Sequence, residues 1–523
     1  MPSLTSLNLV PQEILEQIAF FTAIQSPVGP PSQLLALLTT CRSIYRHLSF
    51  GGNPYFYARI FEYKFDLRAA VRRLGSQVGA PSILANELRK RCQHLKYIRA
   101  RTGSRIRQAV PSQPSNNALD LLWTAYLMML ENDGKNQRQL RDYAEMETWL
   151  MEYWFDDEGA STATRMIMQD GWPPEDEKNC IAMWLLWFFV RPDTFQRSLT
   201  GYQGFSTVLK LIALAANRYE ICQPSWTEFD PRQRPIKSTS VVHFSEEYYL
   251  RPPALAPPAI LSYMTLAVRM LVPRRGVSHT ASHFPQAPGS LPLSMKRSEE
   301  WDAEWQRCVN LGRADYRKTL SKAYILGSLE GIWEGVFTYT EFTAYSSLLS
   351  GGPPPVLHDT LVAQHRQTWK LREYHLSGMQ EDLTEADMRL LGSGDPLRAY
   401  LPPGIQIHET SDFIEVRESG TEQGLKYLRS SHDALQTRQV MDIIIVGEGH
   451  SAWGQFSLYG RVRPWDGLIS FSKEYVDGDR GRWLYRGFLV GNVNGHISGR
   501  WRDTLSPSHV SGYEGCFVMS RRR

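Results

Sequence analysis

Disulfide chemistry has little to work with in this sequence. Its six cysteines, Cys41, Cys92, Cys180, Cys222, Cys308 and Cys516, lie far apart and form no CxxC pair. Neither a disulfide framework nor a structural zinc site is expected, and a reducing compartment suits such spacing better. Long apolar runs are missing as well. The most apolar stretch, CIAMWLLWFFV from Cys180 to Val190, is about half what a bilayer-crossing helix needs and reads as a buried helix. The opening MPSLTSLNLVPQEIL has no basic segment leading into an apolar one, so no signal peptide is expected. Excess charge is absent too. The 58 Lys+Arg and 54 Asp+Glu leave a net +4, too little to draw the chain onto nucleic acid. The expected setting is cytoplasmic or nuclear, with neither nucleic acid nor a membrane as partner.

What is present is length and apolar bulk. At 523 residues the chain exceeds one ordinary core. A 42% apolar and 11% aromatic content can fill several cores and excludes wholesale disorder. The expected class is an α+β multidomain protein. A helical block at 5–75 precedes a mostly helical middle at 82–320, and an antiparallel β-barrel or meander occupies 325–523.

The first block is built from local signals. Pro11 suits the first turn of a helix, where a missing N–H costs nothing. Pro11, Ile14, Leu15 and Ile18 then share one helical face. SPVGPPS at 26–32 interrupts the pattern. Ser32 is placed to cap a second helix carrying Leu34, Leu37, Leu38, Cys41, Ile44, Tyr45 and Leu48. Asn53-Pro54 starts a third, with Tyr57, Ile60 and Phe61 on one side. Asp66 starts a fourth, with Leu67, Ala70, Val71 and Leu74 on its face and Gly75 at its end. Leu9, Leu35 and Thr39 sit off these stripes, and apolar surface outside so small a core usually marks a partner site.

The middle carries aromatic helical stripes of core type. They are Leu119, Leu122, Trp123, Tyr126 and Met129; Phe205, Val208, Leu209 and Ile212; and Trp301, Trp305 and Cys308 behind a capping Ser298. No fixed repeat length appears, which favours an irregular stack over a solenoid. Residues 104–117 and 274–294, rich in Pro and Ser, read as loops. His279 and His283 fall in the second loop without a carboxylate pattern, so no metal site is expected there. Arg89, Lys90, Arg91, Lys96, Arg99, Arg101, Arg105 and Arg107 form a basic run. A solvated helix face is its commoner meaning, with an acidic partner or nuclear import as alternatives.

From Trp333 the period changes to two. GIWEGVFTYTEFTAY (331–345) and QTWKLREYHL (367–376) alternate, and short strands succeed them at 441–446, 453–463, 467–475, 482–490, 495–502 and 513–519. Glycines punctuate them, as in a meander or closed barrel. The stretch 377–435 is polar and carries no clear pattern. DIIIVGEGHSA (442–452) imitates the dinucleotide fingerprint, but the alternating WGQFSLYGRVR after it reads as a strand, not the required helix. GHSAW (449–453) imitates a nucleophile elbow, yet Trp453 stands where the second glycine belongs. In RGRWLYRGFLVGNVNGHISGRWRD (480–503), Trp483, Tyr485 and Leu489 face opposite to Leu484, Arg486, Phe488 and Val490. The glycines there sit inside strands and are architectural. Arg461, Arg463, Arg486, Arg500 and Arg502 could gather across neighbouring strands as a substrate-binding set for an acidic tail, a carboxyl terminus or a phosphorylated loop. Ion pairing with Asp466, Glu474, Asp477, Asp479, Asp503 and Glu514 is the structural alternative.

Two parts of the chain resemble a known family. LVPQEIL with Ile18, the leucine-rich second helix and TCRSIY (40–45) resemble an F-box, with Tyr45 near a place where many F-boxes carry tryptophan. NPYFYARIF…KFD…RRLG (53–75) is similar to the continuation seen in many fungal F-box proteins. EGIWEGVF together with GHSAWGQFSLYGRVR, WLYRG and GRW resembles the C-terminal barrel that some F-box receptors use to bind cyclin-type substrates. This resemblance implies docking on a Skp-family adaptor, and through it on a cullin–RING ubiquitin ligase. Leu9, Pro11, Ile14, Leu15, Ile18, Leu35, Leu38 and Cys41 would be the contact residues. It implies a substrate receptor for an unidentified protein, with no catalytic residues and no cofactor of its own. Two alternatives stay open: a lipocalin-like barrel for a small ligand, with the F-box serving turnover, and a scaffold outside any ligase.

Overall fold

The computed structural model describes residues 10–106, 116–190, 205–230, 238–270, 298–312, 323–357, 360–378, 391–421, 424–429, 439–491 and 495–522. Two compact units divide the chain. One comprises Met1–Tyr153, Ser240–Tyr248 and Leu291–Glu299; the other comprises Trp154–Thr239, Tyr249–Ser290 and Glu300–Arg523. The expected middle region is therefore shared. Residues 82–153 fold with the first block, and most of the remainder folds with the C-terminal strands. His279, His283, Arg107 and most of the two expected loops lie outside the described residues.

The first unit is helical: α1 (Gln12–Ile24), α2 (Leu34–Leu38), α3 (Arg42–Leu48), α4 (Pro54–Lys64), α5 (Arg68–Leu74), α6 (Pro81–Arg99) and α7 (Asn116–Leu130). The Asn53 side chain accepts the Phe56 N–H at 3.0 Å and caps α4, as its position before Pro54 implies. Other local readings change. The single second helix splits at Thr39–Cys41. The Thr39 and Thr40 hydroxyls turn back onto carbonyls of residues 35–37, and Cys41 is extended. Gln33 rather than Ser32 precedes α2. Asp66 does not cap α5. Its carboxylate accepts the backbone N–H groups of Asp133 and Asn136 at 3.0 and 2.9 Å.

A β-hairpin, β1 (Thr239–His243) and β2 (Glu246–Leu250), appears in the middle region, which was expected to be mostly helical. Its turn brings His243 and Phe244 into the first unit's core. There the Arg91 guanidinium donates to Glu87 at 2.9 Å and to Glu131 at 2.8 Å, and His243 Nε2 meets Glu131 at 2.6 Å. Phe61, Phe65 and Phe244 surround the guanidinium. Burial opposes charge on Glu131, but His243 and Arg91 outweigh it and hold the carboxyl down at about 2. Part of the basic run is thus a buried ionic centre and not a solvated face. Arg91→Ala leaves two dry carboxylates unbalanced and should cost about 3–5 kcal/mol in urea unfolding at pH 7. The deficit should shrink as pH falls and the orphaned acids take up protons.

In the second unit eight antiparallel strands close into a barrel: β3 (Gly331–Thr340), β4 (Val362–Gly378), β8 (Gln439–Ser451), β9 (Gly454–Val462), β10 (Ile469–Tyr475), β11 (Arg482–Val490), β12 (His496–Asp503) and β13 (Glu514–Arg521). The ring runs β3-β13-β12-β11-β10-β9-β8-β4, and β4 pairs back onto β3. The polar stretch 377–435 contributes β5 (Gln406–Glu409), β6 (Phe413–Arg417) and β7 (Leu425–Arg429), which extend the sheet from the far end of β4. Residues 342–345, expected in a strand, begin a helix (Phe342–Leu349). Glu341 caps it by accepting the N–H groups of Thr343 and Ala344, both at 3.1 Å.

Cross-strand register fixes which side chains enter the barrel. Trp333 faces Trp369, Trp369 faces Gly449, Phe471 faces Tyr485 and Gly460, and Gly499 faces Phe517 and Gly487. Large rings thus stand opposite glycines. A Cβ on Gly487 would lie 2.3 Å from the Ser498 carbonyl oxygen, so the strands approach there only without a side chain. Inside, Trp369 packs against Phe471, Tyr485 and Phe517 with ring centroids 5.5–5.6 Å apart. One end is shut. The inward Glu373 accepts the N–H groups of Gly327 and Leu329, and Trp333 Nε1 donates to the Leu329 carbonyl, tying this segment across the opening.

Candidate functional site

The first candidate surface lies in the helical unit. Ile14 (52% exposed), Ile18 (42%), Phe21 (64%) and Leu35 (64%) leave large apolar groups in solvent, with Tyr45 beside them in sequence at 58%. Pro11 is exposed, while Leu38 and Cys41 are half-buried. Leu15 turns inward and is 4% exposed, so it packs within the block. Leu9 lies outside the described residues. The amphipathic reading of α1 thus places Leu15, Ala19 and Ala23 on the inner side and leaves Ile14, Ile18 and Phe21 on the outer side.

The five arginines share a different fate. Arg461 pairs with Ser470, Ser470 with Arg486, and Arg486 with Arg500, so three of them form one row on the barrel's outer face. All five are buried. Arg461 donates to Asp442 at 2.9 Å and to the carbonyls of Leu391, Gly392 and Tyr400. Arg463 forks onto both Asp466 oxygens at 3.0 and 2.7 Å and reaches the carbonyls of Ser225 and Glu228. Arg486 pairs with Glu514 at 2.7 Å. Arg500 donates to carbonyls at the end of the helix Phe205–Leu214 and to that of Tyr219. Arg502 donates to carbonyls of the loop at 506–510. They gather on one face, but the groups they hold belong to this chain.

The other face of the sheet carries a cation that the sequence pattern did not single out. Lys473 lies on β10 between Phe471 and Tyr475, on the inward parity, and is 1% exposed. Its ammonium lies 3.1 Å from Gln367 Oε1 and over four rings: Phe456 at 3.9 Å, Tyr475 at 5.0 Å, and Phe337 and Tyr485 at 5.3 Å. Among the described residues no carboxylate pairs with it, and burial alone lowers its pKa to about 7. Gln367 is itself fixed, with its amide nitrogen toward Met519. This cluster lies toward the end of the barrel away from Glu373. Trp453 packs there on Phe337 and His365 at 5.2 and 5.0 Å, and Trp483 packs on Trp501 at 5.3 Å. Tyr339, His365, Trp453 and Trp483 remain half-exposed. The alternation of FSKEY was the available signal: it sets Lys473 on the same inward face as Phe471 and Tyr475.

The imitated motifs dissolve into the hairpin β8–β9. Residues 442–451 are strand, and Gly454, with φ +120°, turns the chain straight into the next strand. No helix comes next to bear a pyrophosphate. Among the described residues no cluster of His, Cys, Asp or Glu could hold a metal ion, and no helix is long and apolar enough to cross a membrane. Comparison with known proteins finds no family model, no curated protein and no solved structure that matches the chain.

Because Lys473 titrates near 7 when folded and near 10.5 otherwise, the unfolded chain holds the extra proton between those values. Its contribution to stability therefore rises with pH across that window. Lys473→Met should raise the melting temperature more at pH 6.5 than at pH 9.5. An equal shift at both would mean the lysine is not desolvated.

Proposed function

We propose that the chain is the substrate-recognition subunit of a Skp–cullin–F-box ubiquitin ligase. The observation that carries this reading is the row of large apolar side chains left in solvent on α1 and α2, Ile14, Ile18, Phe21 and Leu35, within the segment that resembles an F-box. A helical block exposing such a face is suited to a partner that covers it. On this reading the chemistry belongs to other subunits. The chain contributes proximity, raising the effective concentration of a target's lysines near the ligase.

The barrel would hold the target. Its interior is filled by rings packed edge-to-face or tilted on one another, which favours a protein segment seated at the half-exposed aromatic mouth over a small ligand enclosed within. Lys473 is the cation on the inner side of that mouth, because the five arginines stand on the opposite, outer face of the sheet.

Ile14→Asp with Leu35→Asp alters exposed positions only, so the fold should persist by circular dichroism. Each large apolar side chain withdrawn from an adaptor interface is worth about 1.5–3 kcal/mol, so pull-down of a Skp-family adaptor should fall about 100-fold or more. Undiminished adaptor binding would defeat the reading. Leu15→Asp is the wrong probe, since that side chain is buried and its replacement would unfold the block. The barrel half is read separately. Affinity purification with the full chain should retain proteins that Lys473→Met does not. Capture that needs the ammonium form should weaken about tenfold between pH 6 and pH 8.

A further inference from the structure

Three of the outer arginines meet around a concavity that is distinct from the barrel mouth. Arg486, Arg500 and Arg502 line a cavity of about 220 Å³ together with Trp226, Glu220 and Glu514. Arg486 and Arg500 stand directly opposite each other on β11 and β12. Like charges in that position repel unless something balances them. The bonded carboxylate is Glu514, 2.7 Å from Arg486. Glu220 is exposed at the edge. Arg500 and Arg502 are held by carbonyl oxygens of residues 212, 213 and 219 and of residues 506, 507 and 510. Those oxygens supply dipoles and no neutralising charge. The buried Nε atoms of Arg486 and Arg500 meet no acceptor among the described residues, although buried donors are normally bonded. The Trp226 ring lies over Arg486 at 4.0 Å and Arg502 at 5.2 Å and fixes the guanidinium planes.

We propose that this concavity binds a phosphate-type oxyanion, with Arg486, Arg500 and Arg502 as its donors. The unbonded Nε–H groups of Arg486 and Arg500 are charge-assisted donors of the kind a tetrahedral oxyanion accepts, and the space exceeds one phosphate group. Burial lowers the pKa of Arg500 and Arg502; Glu514 opposes it in part, and the neighbouring Arg486 adds to it. A bound dianion would relieve this. The site stands on the barrel's outer face and does not depend on adaptor docking or on Lys473.

The test is calorimetric titration of the full chain with inorganic phosphate and, separately, with O-phosphoserine, against sodium chloride of equal ionic strength. Saturable one-to-one binding is expected. Tighter binding of phosphoserine identifies a phosphorylated chain as the source, and equal or tighter binding of phosphate identifies the free ion. Arg502→Gln removes charge-assisted hydrogen bonds and should weaken binding about tenfold. Glu220→Gln removes an exposed competing anion, leaves the fold alone, and should tighten binding. Heats no different from sodium chloride would overturn the proposal, as would undiminished binding by a folded Arg502→Gln. If Arg502→Gln does not fold, Glu220→Gln decides: binding no tighter than that of the unchanged chain overturns the proposal.

Discussion

Strands β10, β11 and β12 present their side chains alternately to two surroundings, and along most of their length both are dry. One is the lumen, packed with Trp333, Trp369, Phe471, Tyr485 and Phe517; the other is the outer face, where the arginine row lies buried. A cation on such a strand cannot escape to water by changing rotamer, so its fate is decided by parity alone. The outward arginines find carboxylates and carbonyl oxygens. The inward Lys473 finds one amide oxygen and the faces of four rings. The chemical character of the barrel comes from that division.

The two ionic centres, at Arg91 and at Lys473, show opposite solutions to burying a positive charge. Arg91 is set between Glu87 and Glu131, with His243 closing the network, and its charge is reinforced. Lys473 has no counter-ion among the described residues and moves toward neutrality. The first arrangement joins the hairpin at 240–248 to helices α6 and α7 and serves architecture. The second leaves a desolvated amine on the inner face of the barrel, held by Gln367 and the faces of four rings.

Much of this was legible in the residues. Barrel strands appeared at their places because alternation and turn glycines are local signals, and the expected strand at 482–490 coincides with β11. Strand parity in Trp483–Val490 was correct for the same reason. β5, β6 and β7 escaped notice because they are only four or five residues long, so their buried face, Ile414, Val416 and Tyr427, repeats too briefly to register. The break between α2 and α3 was hidden because Thr39 and Thr40 end the helix through their own hydroxyls, without glycine or proline. The gathering of Arg461, Arg486 and Arg500 could be suspected from strand spacing. Which partners they would choose could not, since Asp442 and the carbonyls at 212–219 are remote in sequence and only closure of the fold brings them close.

The ring is completed by pairing its first strand with its last, Trp333 of β3 against Arg521 of β13. A nascent chain therefore carries an open cylinder, with two unsatisfied edges, until β13 has emerged. The helical unit depends on no such late arrival beyond residue 299. Assembly of the two should be staggered during synthesis, and the interval before closure is when the exposed strand edges are most prone to pair with another chain.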